Sequence, residues 1–131
     1  MPSENGPEII MLPKFKRDFK RLKRKYRSLS DDMVAFQKAL LLAHSNRDVG
    51  LESIDSNPVQ GVPGGAENVF IAKKFACRAL KGRGARTGIR IVYQIDMQCV
   101  KLMYIELFHK KEKPLPDMQR IERILRNEQG L

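Results

Sequence analysis

Apolar residues recur along this chain with two different periods. From Lys14 to Leu29, the residues Phe15, Phe19, Leu22, Tyr26 and Leu29 follow one another at steps of four, three, four and three, which places them on one helical stripe. All the cations of that segment fall outside the stripe. Ser30 with Asp31 and Asp32 then reads as a helix start, because a hydroxyl and two carboxylates suit the free amides and the positive end of the dipole. The second helix, to about Ala43, turns Met33, Phe36, Leu40 and Ala43 inward.

The other period is two. Asn68–Arg78, Thr87–Met97 and Val100–His109 are rich in Val, Ile, Phe and Tyr and predict strands, the last two forming a hairpin through Asp96–Cys99. In the middle strand Ile89, Ile91, Tyr93 and Ile95 alternate with Arg90, Val92, Gln94 and Asp96, so the all-apolar set faces the helices and Arg90 projects from the uncovered face. The same rule puts Lys74 and Arg78 together, and we expect them on Arg90's open face. Tyr93, Phe75 and Phe108 read as core, and His44 as a cation favouring the end of the second helix.

Glu8 to Leu12, stopped by Pro13, predicts a first strand running into the first helix. Residues 1–7 are expected to be disordered, and the Gly, Pro, Asn and Ser of 45–66 to form a long loop. Pro114 to Asp117 introduces a short amphipathic helix carrying Met118, Ile121, Ile124 and Leu125, free to dock a partner or cover a cleft. The expected fold is α+β: one domain over 1–131, a mainly antiparallel sheet of about four strands, a helix pair on one face and a short C-terminal helix.

Charge changes this picture most. The chain of 131 residues carries a net charge of +10, unevenly placed. Lys14 to Arg27 holds nine basic residues against Asp18, for +8; Ala72 to Tyr93 holds Lys73, Lys74, Arg78, Lys81, Arg83, Arg86 and Arg90 with no acid, for +7. The remainder is therefore near −5, so one face is basic and fits a nucleic-acid backbone. Cys77 and Cys99 have no metal spacing and read as buried thiols. Without an apolar leader or a membrane-length run, an intracellular, reduced, cytoplasmic protein off the membrane is expected. No Asp/Glu/His cluster or nucleotide loop is present, so neither metal nor cofactor is implied.

The element order, with Gly88-Ile89-Arg90-Ile91-Val92-Tyr93 at its centre, resembles the RelE/ParE superfamily of toxins from bacterial toxin–antitoxin pairs, over roughly Ile9 to Leu125. Gly82-Arg83-Gly84-Ala85-Arg86-Thr87-Gly88 before that strand looks like the basic glycine loop of HigB-type members. Lys110-Lys111-Glu112-Lys113 is similar to the basic patch that follows the last strand in RelE-like members. The resemblance implies a small microbial-RNase-like fold and a ribosome-dependent endoribonuclease that cuts translated messenger RNA and is neutralised by a cognate antitoxin.

Metal-free RNA cleavage needs a base for the 2′-hydroxyl, cations around the phosphate and an acid for the leaving oxygen. Arg90 cannot lose its proton and suits the transition-state charge, a role its matching family position supports. Lys74, crowded by Lys73, Arg78 and Arg90, is a base candidate, and Lys74, Arg78, Arg90 and Lys111 together are expected to form the catalytic cations. Lys111, or Lys110 beside it, suits a phosphate contact or the leaving-group proton, and His109 at the end of the last strand is an alternative acid or base. Lys73, Lys81, Arg83, Arg86, Lys110 and Lys113 are the expected RNA contacts. The stretch Ala72-Lys73-Lys74-Phe75-Ala76-Cys77-Arg78 departs from the usual Lys-x-Arg spacing of RelE members. Two other classes fit the same fold: a ParE-like gyrase inhibitor that cuts nothing, and an RNA-binding module without catalysis.

Overall fold

The computed structural model describes residues 7–62, 64–65 and 67–128, so the expected disorder of residues 1–7 lies, Pro7 apart, outside the described residues. β-branched and aromatic residues are densest between Ile89 and His109, and the two longest strands form there, β4 (Ile89–Asp96) and β5 (Lys101–His109). Their turn is tied by Asp96 Oδ1, which accepts the amides of Gln98 (2.9 Å) and Cys99 (3.4 Å). Cys77 is buried, but Cys99 is exposed in this turn, which corrects the expectation of two buried thiols.

Around the hairpin lie β1 (Glu8–Met11), β2 (Ser56–Pro58) and β3 (Val69–Ala72), in the order β1-β5-β4-β3-β2. Only β1 runs parallel to its neighbour. The sheet thus has five strands rather than about four. The additional strand comes from the stretch expected as a loop, where Leu51–Ile54 forms a 3-10 turn and β2 follows it. Pro58 cannot donate to a ladder, which suits an edge strand.

Helices α1 (Pro13–Lys25) and α2 (Leu29–Ser45) lay Phe15, Leu22, Tyr26, Leu29, Met33, Phe36, Leu40 and Ala43 on Ile89, Ile91, Tyr93, Ile95, Leu102, Tyr104 and Leu107. The start of α2 is Leu29, not Ser30. Ser28 precedes it, donating to Asp32 Oδ2 at 2.6 Å and accepting the amide of Ala79 at 2.8 Å.

The second face of the sheet is not open, as it was expected to be. Val69, Val92, Ile105 and Phe108 pack there with Val59, Val62 and Ile121, and Met118, Ile124 and Leu125 of α3 (Met118–Glu128) lie against them. A bulge makes this possible: Val92 pairs with Glu106 but Tyr93 with Tyr104, leaving Ile105 as an extra residue of β5. No described helix is long and apolar enough to cross a membrane.

Candidate functional site

At one end of the β4–β5 ladder, Ile89 faces His109 and the chain enters β4 through Gly88. Gly88 has φ +87°, and a Cβ there would stand 2.7 Å from His109 Nε2, so a side chain would meet both backbone strain and the imidazole. The ring is held at both nitrogens. Nδ1 lies 3.1 Å from the amide of Lys111, which can only donate; the proton is therefore on Nε2, which donates to Thr87 O at 2.9 Å. Tyr26 stacks on the ring with centroids 6.3 Å apart. Burial holds the His109 pKa below the ordinary histidine value, Lys111 and Lys25 push the same way, and the bond to Thr87 and the charge of Glu112 oppose them.

This imidazole lines a cleft of about 500 Å³ shared with Arg21, Leu22, Lys25, Tyr26, Leu80, Arg83, Thr87, Lys111 and Glu112. Four exposed cations, Arg21, Lys25, Arg83 and Lys111, thus converge from α1, the glycine loop and the turn after β5. Glu112 is the sole carboxylate among the lining residues. It pairs with Arg21, and its Oε1 accepts the amide of His109 at 2.8 Å. The arrangement can hold a phosphate among several donors beside a neutral imidazole.

Of the residues anticipated from the sequence, His109, Lys111 and Arg83 meet in this cleft. Lys74 and Arg78 do not, and they are not on a strand. β3 ends at Ala72 because the amides of Lys73 and Lys74 turn to Ile54 O and Asp55 O (3.1–3.3 Å), and that of Phe75 to Ala85 O. Period two therefore does not apply to them. Lys74 reaches Glu52 O at 3.4 Å, and the Arg78 guanidinium lies 3.8 Å from Asp31; both line a separate cavity of about 300 Å³ with Asp31 and Asp32.

Arg90 sits on β4 opposite Phe108, on the sheet face turned away from His109, half-buried, with Nη1 donating to Lys73 O at 3.2 Å. Lys73, Lys81, Arg86 and Lys110 are exposed, while Lys113 pairs with the buried Glu106 and lies over the Phe108 ring. Arg21, Lys25, Tyr26 and Glu112 were not among the site residues anticipated from the sequence, which read Tyr26 as part of the apolar stripe and Glu112 only as part of the patch after the last strand. The available signal was that Arg21 and Lys25 flank Leu22 and Tyr26 on α1, so cations border the stripe where it ends. Among the described residues, no three His, Cys, Asp or Glu side chains gather as a metal site.

No family model matches the chain, and no curated protein matches it. Solved structures do. The conserved hypothetical protein HP0892 from Helicobacter pylori is similar at 20% identity over 81% of this chain and 97% of its own, with a TM-score of 0.51. The RelBE2 toxin–antitoxin complex from Mycobacterium tuberculosis is similar at 17% identity over 79% and 98%, with a TM-score of 0.41. A double-arginine mutant of the E. coli toxin RelE in the free state is similar at 15% identity over 92% and 97%, with a TM-score of 0.48. The likeness to HP0892 establishes the fold: this chain is a small α+β domain built as HP0892 is built.

Proposed function

We propose that this chain is the toxin of a toxin–antitoxin pair, a metal-independent endoribonuclease that cuts messenger RNA on the ribosome and is held inactive by its antitoxin in the cytoplasm. The observation that carries this reading is the convergence of Arg21, Lys25, Arg83 and Lys111 around the neutral ring of His109. In this reading residues 1–131 act as one domain.

The chemistry follows from the donors present. Arg21 and Arg83 hold the non-bridging oxygens of the scissile phosphate, where charge grows as the 2′-oxygen attacks. His109 Nδ1 takes the 2′-hydroxyl proton once substrate loosens its bond to the Lys111 amide, and the Lys111 ammonium protonates the departing 5′-oxygen. The P–O5′ bond breaks as the P–O2′ bond forms, leaving a 2′,3′-cyclic phosphate. Lys81, Arg86 and Lys110 hold RNA beside the cleft. Arg90, Lys74, Arg78, Lys73 and Lys113 act on RNA outside the reacting phosphate, since they line other surfaces.

Purified protein mixed with ribosomes programmed by a defined messenger, with a chelator present, tests the reading. Cuts within the codon at the decoding site, lost in Arg83→Ala/Lys111→Ala, are the expected result. An intact messenger with inhibited gyrase would assign the ParE-like activity instead, and bound but intact RNA would leave a nonenzymatic binder.

A further inference from the structure

Helix α1 carries more positive charge than the cleft uses. Its exposed residues Lys14, Arg17, Arg21 and Lys25 recur at steps of three, four and four, so they share one flank, and the last two line the cleft. Asp18, the one acid of the helix, is turned inward and held by Arg120 and the amide of Leu107. Among the described residues, Lys14, Arg17 and Lys25 have no carboxylate within ion-pair distance.

We propose that this flank is a track for single-stranded RNA, extending the path of the strand out of the cleft; the inference rests on the cleft accepting RNA. The eleven steps from Lys14 to Lys25 rise about 16 Å, enough to follow roughly five nucleotides stacked at ~3.4 Å each. Cations of one sign, opposed along the flank only by Glu112 at Arg21, match the regular charge of a nucleic-acid backbone. A protein partner would need an apolar anchor, and α1 exposes no large hydrophobic side chain: among the described residues the exposed ones are Val34, Leu42, Met97 and Leu115, all elsewhere.

The test is fluorescence anisotropy with labelled 2′-O-methyl oligouridylates of three and twelve nucleotides, which cannot be cut, titrated over a range of salt. The full chain is compared with Lys14→Gln/Arg17→Gln. The wild type binds the twelve-mer more tightly and with the steeper salt slope; the variant lowers that slope by about 1.4, from ~0.7 per phosphate contact, and binds the three-mer unchanged. An unaltered twelve-mer slope overturns the track, as does equal competition by oligoglutamate of matched charge, which would make α1 an acidic-protein surface. If the three-mer fails to bind while the twelve-mer still depends on Lys14 and Arg17, α1 holds RNA but the cleft reading falls, and the track as a path out of the cleft falls with it.

Discussion

Asp18 on α1 and Arg120 on α3 meet at 2.7 Å beside the part of β5 that β1 does not reach. The β1–β5 ladder ends at Met11 and Tyr104, which would leave the next backbone groups of β5 bare. Side chains take them instead: Asp18 Oδ2 accepts the amide of Leu107 at 3.1 Å, Arg120 Nη1 donates to Ile105 O at 2.9 Å, and Glu112 accepts the amide of His109. One ion pair thus closes a sheet edge and joins the helices of both faces.

Removing one partner leaves the other charge nearly buried, with side-chain exposures of 12% and 13%. Asp18→Asn or Arg120→Leu is therefore expected to cost about 3 kcal/mol or more, measured as a shift in urea midpoint. Asp18→Leu/Arg120→Leu recovers only part of this, because Leu107 N–H and Ile105 O lose their partners.

Gly88→Ala forces a side chain at φ +87° into the His109 ring. We expect a loss of more than about 1 kcal/mol, together with displaced His109 ring resonances in an NMR spectrum; unmoved resonances would mean the loop yields instead.

Acid should destabilise the fold through two histidines. Burial lowers the pKa of both His109 and His44, the latter hydrogen-bonded to Tyr93 Oη at 2.7 Å. A lowered folded pKa means that, as pH falls below about 6.5, the unfolded chain takes up protons the folded chain refuses. Stability is then full above that pH, declines below it, and stops declining at the folded pKa. Denaturant midpoints should drop from pH 7 to pH 5.5, and drop less in His44→Gln/His109→Gln.

Much of this architecture was legible because burial writes a period. The stripe on α1 and the alternation from Ile89 to Ile95 needed only one covered face to be read. What failed depended on partners distant in sequence. Lys73 and Lys74 leave strand geometry because Ile54 O and Asp55 O capture their amides, and α3 covers the second face because a bulge at Ile105 adds apolar surface there. The cleft was half legible: His109 and Lys111 stand two positions apart in the chain, but Arg21 and Lys25 reach them only through the packing of α1.

Glu112 occupies Arg21, a cation that a phosphate would use. Glu112→Gln keeps an oxygen for the His109 amide while removing the charge, so RNA binding should tighten and its salt slope steepen by up to about 0.7, read by anisotropy titration.

The central claim is most directly tested by brief induction in bacteria of the wild type beside Arg83→Ala/Lys111→Ala, with the 5′ ends of cellular messenger RNA mapped. Growth arrest with new ends inside translated codons, absent in the variant, is the predicted result. Arrest with intact messages, or cuts that persist unchanged in a folded variant, would contradict the account.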